Sequence, residues 1–164
     1  MDKKVLVPIA HGTEEMEAVV VVDLLRRAGF TVRVAGDNEI VTCSRGMKII
    51  PDILIRKIKP DDVFDAVILP GGVEGTQNLH NNEYIIDILK SHNEKGKIIG
   101  AICAAPTILT AYNITPKGID ITSHPSVINE MVEYHYLTDK VVVYDNFVTS
   151  RAAGTAIEFA LKII

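Results

Sequence analysis

The residue best placed for covalent chemistry is Cys103, in the run IIGAICAAPTIL. A buried strand leads into the cysteine, two small residues follow, and Pro106 suits the first turn of a helix. Such a strand-to-helix elbow exposes a side chain among close-packed neighbours, as nucleophile elbows do. A thiol there meets unpaired amides and the positive end of a helix dipole, which is expected to lower its pKa from ~8.5 into the range ~3.5 to 7.5. The competing reading is an inert buried thiol, since free cysteine is among the most buried residue types. Gly71-Gly72 offers main-chain N–H groups that suit a developing oxyanion, although an ordinary turn has the same sequence. The second cysteine, Cys43, is far from Cys103, in no CxxC or Cys/His spacing. Neither a disulfide framework nor a zinc site is expected, and a reducing, cytoplasmic compartment fits.

These residues are placed by alternating strand-length apolar runs and helical patterns. Val5 to Ile9 reads as a strand, Glu14 to Arg27 as a helix and Phe30 to Ala35 as a strand, with Ala28-Gly29 as the helix stop. Thr13 is the expected N-cap, followed by acidic residues, while Arg26 and Arg27 suit the last turn. Ile40 to Thr42 and Lys48 to Ile50 flank Arg45-Gly46 as a small hairpin. Strands over 64–69 and 97–102, helices over 82–94 and 106–112, a hairpin over 141–149 turning at Asp145-Asn146, and a last helix over 155–164 complete the pattern. Strands apolar on both faces imply a mostly parallel sheet covered by helices on each side. Ligand sites in such sheets lie beyond the carboxyl ends of strands, where Ala10-His11-Gly12, Pro70-Gly71-Gly72 and Ala101-Ile102-Cys103 fall.

With 164 residues, 48% of them hydrophobic, one domain spanning 1–164 is expected. A net charge of −4 and the lack of a basic stripe disfavour nucleic-acid binding. No apolar stretch approaches the ~18 residues of a membrane span, and the lysines before the first apolar run lead into no signal-peptide pattern.

Four separated segments agree in order and character with one family: HGTEEMEAVVVVDLLRRAG, VILPGGVEGTQNL, AICAAPTIL, and ITSHP with TSRAAGTAIEFAL. Through them the chain resembles the ThiJ/PfpI superfamily, specifically its DJ-1-like branch. The resemblance implies a flavodoxin-like three-layer α/β/α sandwich, a homodimer and no metal or organic cofactor. It places Cys103 as the oxidation-prone nucleophile, Glu17 as the carboxyl beside its sulfur, and His124 nearby. Gly71, Gly72 and Ala104 would supply amides, Arg45 and Arg27 would lie near the pocket and dimer interface, and Asp23 matches a nearby acidic position. Read without the resemblance, Glu17 belongs to a solvated helix face and His124 to a loop or packing position.

The implied activity is that of a glyoxalase or deglycase acting on small reactive carbonyls such as methylglyoxal, or on glycated thiols and amines. The alternative is a redox sensor or chaperone whose Cys103 becomes a sulfinic acid. Ala104 stands where the peptidase branch carries a histidine, so a peptidase triad of that type cannot form. Ile50 stands where some relatives have a second cysteine, and relatives usually continue past the EFAL helix.

Overall fold

A computed structural model describes residues 3–59 and 62–164, and seven strands form its central sheet. They are β1 (Lys4–Ile9), β2 (Thr31–Gly36), β5 (Ile53–Leu54), β6 (Ala66–Leu69), β7 (Ile98–Ile102), β10 (Val141–Tyr144) and β11 (Phe147–Ser150), in the order β10-β11-β7-β6-β1-β2-β5. Every neighbouring pair is parallel except β10 with β11, the late hairpin, which turns at Asp145 with φ 52°. The small pair β3 (Val41–Thr42) and β4 (Lys48–Ile49) is the expected hairpin around Arg45-Gly46.

Side chains alternate across the pleat and divide the interior into two layers. Leu6, Val67, Leu69, Ile99 and Ala101 face one side, against α2 (Val73–His80), α3 (Glu83–Glu94) and α4 (Pro106–Ala111). Val5, Val7, Ile9, Ala66 and Ile68 face the other, against α1 (Glu15–Arg27) and α5 (Ala156–Ile163). The expected α/β architecture with a mostly parallel sheet is the observed one.

Three differences from the sequence reading have physical causes. Thr13 is not the N-cap of α1: it is wholly buried, and its Oγ1 accepts the Ala10 N–H at 3.0 Å, closing the turn after β1. Glu14 takes the capping role, accepting the Met16 N–H at 3.4 Å. Helix α2 was not expected, because Gly75, Thr76 and Asn78 carry poor helix propensity. Packing selects it: a Cβ on Gly75 would lie 2.5 Å from the Thr13 backbone, so the glycine lets α2 lie against the turn after β1. The short parallel pair β8 (Asp120–Ile121) and β9 (His135–Tyr136), with the 3-10 turns of Pro125–Glu130 between them, carried no periodic signal.

The carboxyl ends of β1, β6, β7 and β11 are adjacent in the sheet; the chain runs outward from β1 through β2 to β5, then crosses back to β6 on the other side of β1. That reversal opens a crevice at the sheet edge.

Candidate active site

Cys103 directly follows β7 and has φ 65°, left-handed backbone that a non-glycine residue rarely adopts. Hydrogen bonds hold it there: its N–H donates to Ser150 O at 3.0 Å, and its carbonyl accepts the His124 N–H at 2.7 Å. The sharp turn lifts the side chain off the strand before α4 begins at Pro106. Strain of this kind persists where surrounding structure imposes it, commonly at reactive sites.

Beside the cysteine lies Glu17, wholly buried in the first turn of α1. Its Oε2 accepts the Gly71 N–H at 2.7 Å, whereas Oε1 is buried with no hydrogen-bond partner. Gly71 is wedged between the two side chains: a Cβ there would lie 2.6 Å from Cys103 Cβ and 2.8 Å from Glu17 Oε2. Gly72, at φ 89°, starts α2 where a Cβ would strike Gly12 O at 2.4 Å. Its N–H and that of Ala104 face the Cys103 sulfur.

The electrostatics correct one expectation. Burial raises the Glu17 carboxyl to about 7 against the pull of the Gly71 N–H. Burial and the neighbouring Glu17 charge push the Cys103 thiol up to about 12, outweighing the Gly72 and Ala104 amides. The depressed thiol expected from the helix dipole is absent, because burial and the carboxylate that shares the cleft oppose the thiolate. What remains is a protonated thiol beside a base poised near neutrality, and the two groups titrate as a pair.

The pair opens into a cleft of about 440 Å³ whose wall includes Ala104, His124, Ser126 and Arg45. His124 Nδ1 accepts the Ser126 N–H at 3.1 Å and lies 2.7 Å from Ser126 Oγ. Arg45 is carried on the β3–β4 turn, which Glu15 clamps through the Arg45 N–H at 2.9 Å and the Ser44 hydroxyl at 2.8 Å.

Residues 3–164 match the model of the DJ-1/PfpI family. Protein dj-1beta of Drosophila melanogaster is 46% identical over 99% of this chain and 88% of its own length, and its crystal structure superposes with a TM-score of 0.94, covering 99% of this chain and 89% of that one. The chain belongs to the DJ-1/PfpI family. A second relative, 41% identical over 94% of this chain and 82% of its own, is the glutathione-independent glyoxalase DJR-1.2 of Caenorhabditis elegans. The structure of oxidized Toxoplasma gondii DJ-1 gives a TM-score of 0.91 at 36% identity, covering 99% of this chain and 89% of that one.

Of the positions matched to the DJ-1/PfpI pattern, Cys103, Glu17, Gly72, Ala104, His124 and Arg45 all line the cleft. Two depart from the roles expected of them. Gly71 spends its N–H on Glu17, so that amide is not open to a substrate oxygen. Arg27 lies at the far end of α1, bound at 2.9 Å to Asp23, and does not line the cleft. Sequence reasoning missed Glu14, Ser44, Glu74, Ser126 and Ala152 in the cleft wall. Ala152 sits in the TSRAAGTAIEFAL segment, so a signal for it existed; Ser126, two residues beyond His124, had none.

No helix among the described residues is long and apolar enough to cross a membrane.

Proposed function

We propose that the protein is a cofactor-independent glyoxalase-type enzyme in which Cys103 attacks a small 1,2-dicarbonyl such as methylglyoxal and Glu17 moves the protons. The observation that carries this reading is the strained Cys103 elbow beside a wholly buried carboxyl raised to about 7. The relative named as a glutathione-independent glyoxalase supports it.

The thiol attacks the aldehyde carbon, and its proton passes through Glu17 to the carbonyl oxygen, giving a hemithioacetal. Glu17 then takes the proton from the former aldehyde carbon and returns it to the ketone carbon by way of an enediol, while the hemithioacetal hydroxyl gives up its proton and the ketone oxygen gains one, leaving a lactoyl thioester. Water cleaves the C–S bond, releases lactate and restores the thiol. The aldehyde carbon is oxidised and the ketone carbon reduced, so no external oxidant enters. The Gly72 and Ala104 amides, which face the sulfur, are placed to stabilise oxyanions formed next to it.

Purified protein incubated with methylglyoxal alone is expected to form lactate, and Cys103→Ser to form none. Lactate formation that survives Cys103→Ser overturns the reading. A second reading uses the same pair: the unpartnered Glu17 Oε1 suits an oxidised sulfur beside it. It holds if no lactate forms while mild peroxide adds two oxygens to Cys103.

A further inference from the structure

The His124 ring is held from one side. The Ser126 N–H donates to Nδ1 at 3.1 Å, and the Ser126 hydroxyl lies 2.7 Å from the same nitrogen. A main-chain N–H can only donate, so Nδ1 is an acceptor and the hydroxyl donates to it as well. In the neutral ring the proton therefore sits on Nε2. Local backbone sets this up: His124 precedes Pro125 and is extended at φ −60°, ψ 135°, which brings the amide two residues on back to its own ring. The same residue is tied to the reactive elbow, because its N–H donates to Cys103 O at 2.7 Å. His124, Ser126 and Cys103 share one cleft wall.

We propose that Ser126 is a positioning residue that fixes His124 as an Nε2–H hydrogen-bond donor toward a substrate oxygen, so that His124 does not act as a base. A donor beside the nucleophile selects a ligand with a second oxygen next to the attacked carbon, the feature that separates a 1,2-dicarbonyl from a simple aldehyde. Glu17 is then the group that moves protons. The activity part rests on the small-carbonyl reading above; the tautomer does not.

Nitrogen-15 NMR of histidine-labelled protein tests both, with the His124 signals assigned by their loss in His124→Gln. The wild type is expected to show an unprotonated Nδ1 and a protonated Nε2. Ser126→Ala keeps the amide and removes the hydroxyl: Nδ1 should stay unprotonated but its resonance should move downfield, as an acceptor nitrogen does on losing a hydrogen bond, and kcat/KM for methylglyoxal should fall roughly three- to tenfold, the worth of one neutral hydrogen bond. Ser126→Thr should restore both. An Nδ1–H tautomer in the wild type overturns the proposal, and so does a Ser126→Ala protein in which only one of the two readouts changes, or neither does. Failure of the glyoxalase reading looks different: wild-type protein forms no lactate, while the His124 tautomer and its response to Ser126→Ala are still read.

Discussion

Replacing Glu17 by glutamine should stabilise the fold at pH 8 and do far less at pH 5. The native carboxyl titrates at about 7 against 4.5 for a freely solvated glutamate, because burial penalises its charge. The native state thus holds this proton more tightly than the unfolded chain does. Its contribution is fully present below pH 4.5 and is lost as pH rises through about 7. At about 1.36 kcal/mol per pKa unit, ionising Glu17 withdraws about 3 kcal/mol of stability. Glutamine keeps the shape and an oxygen for the Gly71 N–H, and it carries no charge. Urea denaturation at both pH values, on a Cys103→Ala background so that the thiol does not titrate, should show the Glu17→Gln advantage growing by about 2 to 3 kcal/mol from pH 5 to pH 8. All other titrations are common to the two proteins and cancel. An advantage that does not change with pH, or a glutamine variant that is less stable at pH 8, would refute the reasoning.

Gly71→Ala should cut kcat/KM at least a hundredfold and lower the melting temperature, since its Cβ would lie 2.6 Å from Cys103 Cβ and 2.9 Å from Ile102 O; overpacking of this kind costs about 1 to 3 kcal/mol. Cys103→Gly should be at least as stable as Cys103→Ala in thermal melts, because only glycine accepts φ 65° without a cost of about 1 kcal/mol. Arg45→Ala should raise KM for methylglyoxal, while Arg27→Ala, whose ion pair with Asp23 is exposed and outside the cleft, should leave kcat and KM within about twofold.

The sheet was legible because β1, β2, β6 and β7 are buried on both faces, and a double-sided apolar run keeps its meaning in any context. Helix α2 was not, since what holds it is a close approach between Gly75 and Thr13, which are far apart in the chain. In the site, the elbow at Cys103 could be read from small residues and Pro106 alone. Glu17 could not, because its helix also carries Glu14 and Glu15 and only the tertiary turn decides which of the three is wholly buried. The thiol's pKa was misjudged for the same reason: the dipole is local and legible, whereas burial and the facing carboxylate belong to the assembled cleft.

The central claim is that Cys103 and Glu17 act as one proton-sharing pair, and the rate of Cys103 alkylation by iodoacetamide from pH 5 to 10 tests it most directly. In the wild type the rate should rise as the pair loses its first proton, near the Glu17 value of about 7. In Glu17→Gln that limb should vanish, leaving only a rise at higher pH set by the buried thiol itself. Identical profiles for the two proteins, both rising near the ordinary thiol value of ~8.5, would contradict the account.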